Sequence, residues 1–178
     1  MPEIDLLDLP ERLPPDAPAM GLDVGAKTVG LAISDRTRTI ASPLVTVHRR
    51  KFTADAAAIA AQIAGRGAAA LVYGLPVNMD GAEGRRCQSV RQFARNLDGR
   101  IALPYAFWDE RLSTAAVERL LIGEADMTRK RRAEVVDKAA AAWILQGALD
   151  ALRDVPRDSP RDAGGAMPPA GRAPDRPA

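Results

Sequence analysis

Asp23, Asp109, Glu110 and Asp137 are the residues of this chain whose types and settings could do chemistry together. Asp23 lies in Gly21-Leu-Asp-Val-Gly25-Ala-Lys27-Thr-Val-Gly30-Leu-Ala-Ile-Ser-Asp35, which reads as a strand, a tight glycine turn and a returning strand. An ionised carboxylate within a strand is costly unless something pairs with it, and a metal ion would supply that pairing. Asp109 and Glu110 end an apolar run. Asp137 stands just before Ala139 to Ala142, small residues that would let a helix press closely on a sheet. Each acid alone has a plainer reading, as a turn cap or a solvated helical carboxylate. Three such sites in one place would repel one another unless cations neutralised them, and divalent metals ordinarily do so. Two metals so held stabilise the attacking and leaving oxygens of a phosphodiester, so phosphodiester hydrolysis is the chemistry this set fits.

Cations stand near these acids. Lys27 and Arg111 are beside them in sequence, where they could meet phosphate or simply form salt bridges. The Gly74–Gly84 stretch holds Asn78 as a donor, with Arg85 and Arg86 following at a helix start. It reads equally as a phosphate-approaching loop or as an ordinary strand-to-helix connection. Arg129-Lys130-Arg131-Arg132, the densest basic run, directly precedes the Asp137 helix and suits a nucleic-acid backbone. His48 with Arg49-Arg50-Lys51 reads as a basic hairpin turn, and Cys87 as a core residue. Aromatic residues make up only 4% of the chain, so shape and backbone rather than base stacking should govern recognition.

The bulk properties narrow the setting. A chain of 178 residues fits one domain with a sizeable core. The net charge of +2 hides an uneven spread: residues 1–20 carry −4, residues 21–152 about +5, and residues 153–178 +1. The middle segment suits a polyanion without being the coat of a passive nucleic-acid binder. One cysteine and one histidine exclude an intrachain disulfide and a Cys/His metal site, so any metal must sit among oxygens, as magnesium or manganese does. The cysteine count points to a reducing cytoplasm. No signal peptide or membrane-length apolar run is present, so no membrane role is expected.

Those acids need elements to position them. Strands are expected at about 20–25, 28–35 and 39–47, then a helix from Thr53 as N-cap to Arg66. A strand at 69–74, a helix over 83–97 and a strand over 101–108 follow. A helix from Ser113 or Thr114 to about Ile122 and a final helix capped by Thr128 and running through Leu149 complete the set. This is a mixed α/β domain whose first three strands form an antiparallel meander and whose later strands join by helical crossovers. Such sheets concentrate chemistry at the carboxyl ends of their strands, where Asp23 and residues 109–111 fall. Residues 1–19, proline-rich and acidic, are expected as a disordered arm. Residues 153–178, rich in Pro, Gly and Arg, are expected as a disordered tail, which leaves the domain at 20–152.

The motifs Gly21-Leu-Asp23-Val-Gly25-x-Lys27-x-x-Gly30-x-Ala32, Gly74-Leu-Pro76-x-Asn78-x-Asp80-Gly81-x-Glu83-Gly84, Asp109-Glu110-Arg111-Leu-Ser113-Thr114 and Val136-Asp137-Lys-Ala-Ala140 with Ile144-Leu-Gln146 occur in the order of the YqgF/RuvX family, which the chain resembles over about 20–152. That resemblance implies a ribonuclease H-like fold, a mixed five-stranded sheet flanked by helices. It further implies a nuclease similar to Holliday junction resolvases, described as maturing the 5′ end of pre-16S ribosomal RNA. Asp23, Glu110 and Asp137 would then be the metal ligands for magnesium or manganese. Glu110 is preferred to Asp109 for its reach, which leaves Asp109 to hold Arg111. Structured RNA is the favoured partner, with branched DNA the alternative and ribosomal particles as possible company; the oligomeric state is left open. In resolvases of this fold the strand after the first helix ends in an acid. Here it ends Tyr73-Gly74-Leu75-Pro76, which shifts the load onto residues 109 and 110.

Of three rivals, the first is excluded and two remain. A P-loop needs Gly directly before Lys27, and Ala26 stands there. A sugar-kinase or actin-type phosphotransferase shares the Asp23-x-Gly25-x-x-x-x-Gly30 pattern, but it needs a second domain around a nucleotide cleft. A nucleic-acid module that kept the fold and lost activity would read almost identically.

Overall fold

The computed structural model describes residues 3–78, 80–109 and 129–154, with the side chains of the last segment described from residue 136 onward. The strands are β1 (Ala19–Val24), β2 (Thr28–Ser34), β3 (Ala41–His48), β4 (Ala70–Leu75) and β5 (Tyr105–Asp109). The helices are α1 (Leu9–Arg12), α2 (Phe52–Arg66), α3 (Arg85–Asp98) and α4 (Arg129–Asp154). The strands form one five-stranded sheet in the order β3-β2-β1-β4-β5. β2 is antiparallel to both β1 and β3, whereas β4 runs parallel to β1 and β5 parallel to β4. The expected meander with parallel additions is present.

Strand alternation divides the core into two layers. Met20, Leu22, Val24, Val29, Leu31, Leu71, Tyr73 and Tyr105 point to one face, where α2 and α3 cover them with Ile59, Ile63, Val90, Phe93 and Leu97. Ala19, Ala32, Ala70 and Val72 point to the other, where α4 covers them with Ala141, Ile144, Leu145, Ala148 and Leu149. Alanines on α4 face alanines and glycines on the sheet between the larger side chains, so helix and sheet approach closely there. A Cβ on Gly21 would stand 2.7 Å from both the Ala141 carbonyl oxygen and the Leu145 Cβ.

The N-terminal segment differs from the disordered arm expected for residues 1–19. Its backbone pairs with β5, the Ile4 N–H donating to the Tyr105 carbonyl at 2.9 Å. Asp5 caps a 3-10 turn at Leu6–Asp8 by accepting the Leu7 N–H at 2.8 Å. Leu9 and Leu13 are then buried with Ile4 and Leu6 against the layer that holds α4. Composition concealed this apolar stripe among prolines and acids; burying Leu9 is worth about 1.5–3 kcal/mol, which offsets the ordering cost of about one or two residues.

Three element ends also differ. Lys51, not Thr53, occupies the N-cap of α2, and the Asp55 carboxylate reaches back to accept the Arg50 N–H at 2.9 Å. β5 begins at Tyr105 rather than Ile101, because the Ile101 N–H turns back to the Leu97 carbonyl and Pro104 has no N–H to give a ladder. α4 continues through Asp154, past the expected start of the tail at 153. The tail beyond it and the expected helix near 113–122 lie outside the described residues.

Candidate functional site

The parallel strands β1, β4 and β5 end at one edge of the sheet. Asp23 sits there, half-buried, one residue before the end of β1. Its register partner on β2 is Gly30. Because Gly21 faces α4, alternation puts Asp23 on the same face. A Cβ at Gly30 would overlap the carbonyl group of Asp137, so the helix main chain rests directly on the sheet at that point. Asp23 and Asp137 are thereby neighbours on one face, the Asp137 main chain resting on the glycine that pairs with Asp23. The closeness expected from the alanines after Asp137 is present, with Ala139, Ala141 and Ala142 all buried.

The helix direction follows from its contacts. Asp137 lies over Gly30, and Ala141 and Leu145 lie over Gly21, so α4 runs opposite to β1 with its N-terminus at the carboxyl edge. Arg129, Lys130, Arg131 and Arg132 occupy the first turns of α4. They stand about 7–12 Å beyond Asp137 along the helix axis, at 1.5 Å per residue.

Asp109 closes β5 at the same edge, two strands from Asp23. Tyr105 and Phe107 point to the α2/α3 face, so alternation carries Asp109 to that face, away from Asp23. Glu110 and Arg111 lie outside the described residues. Among the described residues no group of three or more His, Cys, Asp or Glu stands ready to hold a metal. Asp23 and Asp137 supply two hard oxygen donors of the kind magnesium and manganese take, and they fit such an ion as a partial set.

The cationic and polar candidates are spread along the edge. Lys27 is exposed at the tip of the β1–β2 hairpin, which is closed by the Gly25 N–H donating to the Thr28 carbonyl at 2.9 Å. A Cβ at Gly25 would come within 3.1 Å of that same oxygen, so the glycine serves close approach. Asn78 braces its own loop: its N–H donates to the Ala82 carbonyl at 3.1 Å, and its amide packs on Gly84, where a Cβ would stand 3.2 Å from Nδ2. Glu83 closes the loop through Arg91 at 2.6 Å, and Arg91 also holds Glu3 at 2.8 Å while lying over the Phe107 ring. The Arg91 hydrogen bond holds the Glu83 carboxyl below its ordinary range. Arg85 and Arg86 are exposed on the first turn of α3, on the sheet face opposite α4. Cys87 is buried and donates to the Pro76 carbonyl at 3.0 Å, the core role expected for it.

Two structural anchors of the site were not singled out from sequence for these roles. Gln146 accepts the Ala41 N–H at 2.8 Å and donates to the Thr39 carbonyl at 3.1 Å, fastening α4 to β3. Arg49 donates to the Gly25 carbonyl at 2.8 Å beneath the hairpin tip. The helical spacing of Gln146 resembles that of any exposed glutamine, so only the fold reveals its partners.

Comparison with known proteins adds to this geometry. Residues 17–151 match the family described as "RuvX: Holliday junction resolvase". A protein of Phenylobacterium zucineum, named "Putative pre-16S rRNA nuclease", is 62% identical over 156 residues, covering 87% of this chain and 100% of that protein. Proteins of the same name from Rhodospirillum rubrum and Caulobacter vibrioides are 60% and 57% identical, covering 85% and 86% of this chain and 94% and 99% of theirs. Among solved structures, T. thermophilus RuvC in complex with a Holliday junction substrate is similar at 14% identity and a TM-score of 0.46, over 78% of this chain and 96% of that one.

Proposed function

We propose, from the premise that this chain belongs to the RuvX family, that it is a metal-dependent nuclease that hydrolyses phosphodiesters of structured RNA and matures the 5′ end of pre-16S ribosomal RNA. The observation that carries the reading is the meeting of Asp23 and Asp137 on one face, across Gly30, at the carboxyl edge of the parallel strands. The names of the relatives support the RNA substrate, and with it action in the cytoplasm on ribosomal particles.

Asp23 and Asp137 would hold magnesium or manganese, with Glu110 as the third carboxylate. The parity of β5, which turns Asp109 to the other face, favours Glu110 over its neighbour. A divalent cation bound there supplies charge compensation at the phosphate and lowers the pKa of the attacking water. The carboxylates fix where the scissile phosphate can approach. Lys27 and Arg111 offset charge that builds on the phosphate oxygens in the transition state. Cleavage in this arrangement leaves 5′-phosphate and 3′-hydroxyl ends.

The first turns of α4 support a polyanion partner. Arg129 to Arg132 sit at the positive end of a helix dipole, where a cation costs about 0.3–1 kcal/mol rather than stabilising. That placement suits phosphate binding, and Asn78, Arg85 and Arg86 would extend the contact on the far side of the edge. Branched DNA is a second reading, favoured by the description of the family as a Holliday junction resolvase.

The test compares cleavage of a pre-16S 5′-leader RNA, a four-way DNA junction and generic single strands, with magnesium, manganese or chelator. Wild type should cut the leader RNA only with metal. Asp23→Asn should bind it and not cut. Cutting of the junction in preference to RNA would transfer the substrate to DNA, and undiminished cutting by Asp23→Asn would remove the site assignment.

A further inference from the structure

Next to Lys27 at the same edge stands a run of basic residues to which the site described above gives no part. β3 runs antiparallel to β2, so its end at His48 lies level with Thr28 and therefore beside the β1–β2 hairpin tip. There the chain continues through Arg49, Arg50 and Lys51 before α2 begins at Phe52. The two segments are tied together, because the Arg49 N–H donates to the Lys27 carbonyl at 2.9 Å and its guanidinium donates to the Gly25 carbonyl at 2.8 Å. The same guanidinium lies 5.2 Å from the centroid of the Phe93 ring, which fixes it against the core. With Arg49 committed to this brace, Lys27, Arg50 and Lys51 are left exposed side by side.

Among the described residues nothing neutralises these three charges. Among the described residues none of their side chains takes part in an ion pair. Asp55, four residues after Lys51, is only 3% exposed and turns its carboxylate to the Arg50 main-chain N–H. Three cations held together on a braced turn repel one another, and a polyanion relieves that repulsion. The shelf is two strands from Asp23 in the sheet order, about 10 Å at the usual strand spacing, so one strand of nucleic acid could reach both.

We propose that Lys27, Arg50 and Lys51 form a basic shelf on the β3 side of the catalytic edge that binds the sugar-phosphate backbone of the substrate strand. The proposal rests on the nuclease reading above and adds to it a direction: the bound strand leaves the acidic pair toward β3. The contact is to phosphates and carries no base preference, so it sets affinity and orientation rather than sequence choice.

The test uses full-length Asp23→Asn protein as the uncleaving parent and a second protein that adds Arg50→Gln and Lys51→Gln. Binding of the 5′-leader RNA is measured across a salt series. Each lost single-strand phosphate contact should lower the slope of log affinity against log salt by about 0.7, so the pair should flatten it by about 1.4. Near 0.1 M salt that corresponds to roughly fivefold weaker binding per contact. Both side chains are exposed, so circular dichroism should be unchanged. Equal affinity and slope in the two proteins, with the parent binding RNA, would overturn the shelf and leave the nuclease reading intact. Absence of RNA binding by the parent itself would overturn both.

Discussion

The main chain of Asp137 rests directly on Gly30, the residue that pairs with Asp23 across the β1–β2 ladder. No side chain larger than hydrogen fits between helix and sheet at that point. The spacing of the two proposed metal ligands is therefore set by a backbone contact.

Gly30→Ala should push α4 away from β2. Overpacking of this kind costs about 1–3 kcal/mol in stability. A displacement near 1 Å at the ligands should cost about 100-fold in cleavage rate. Thermal unfolding and initial cleavage rates measured together check this. A variant with normal rate would show that the Asp23–Asp137 spacing does not govern activity.

Gln146 is the side chain that fastens α4 to the outer strand β3. Gln146→Ala leaves the Ala41 N–H without its partner, and the expected loss is about 1–3 kcal/mol. Hydrogen exchange reports on it directly: the Ala41 amide should lose protection while the β1–β4 amides keep theirs. Uniform loss across the sheet would mean that the residue supports the whole core instead.

Tyr73 has a fully buried hydroxyl with no hydrogen-bond partner among the described residues, and burial pushes its phenol above the ordinary range. An unpaired buried donor is costly, so Tyr73→Phe should be neutral or raise stability by up to about 1 kcal/mol. The urea midpoint reads this out. A clear drop would reveal a buried water or another partner for the hydroxyl.

Asp35 organises the turn between β2 and β3. Its carboxylate accepts the Thr39 and Ile40 N–H groups at 2.7 and 2.8 Å and the Thr37 hydroxyl. These bonds, the one from Ile40 foremost and Thr37 next, hold its pKa down to about 2 from an ordinary 3.8. The folded state therefore favours the ionised form, and its contribution is full above about pH 4 and fades as pH falls through about 2. Carboxyl NMR titration should find that low midpoint, and Asp35→Asn should flatten the acid limb of the stability curve in that window. A midpoint near 4 in the folded protein would contradict the hydrogen-bonded turn.

The sequence by itself determined the five strands, the meander with its parallel additions, and the close approach of the helix whose small residues follow Asp137. Each of these is written in local pattern: period-two strands, a run of small residues, and glycines at fixed offsets. Only the tertiary structure decided the rest. Ile4, Leu6, Leu9 and Leu13 form a buried stripe because α4 and β5 offer a surface for it, which no composition of the arm could disclose. Asp109 faces away from Asp23 because Tyr105 and Phe107 pack into the α2/α3 layer and alternation carries Asp109 with them. Gln146 and Arg49 act on partners far along the chain, Thr39 and Gly25. Which residues touch across such distances depends on how helix and sheet pack, and packing is a property of surfaces that exist only once the chain has folded.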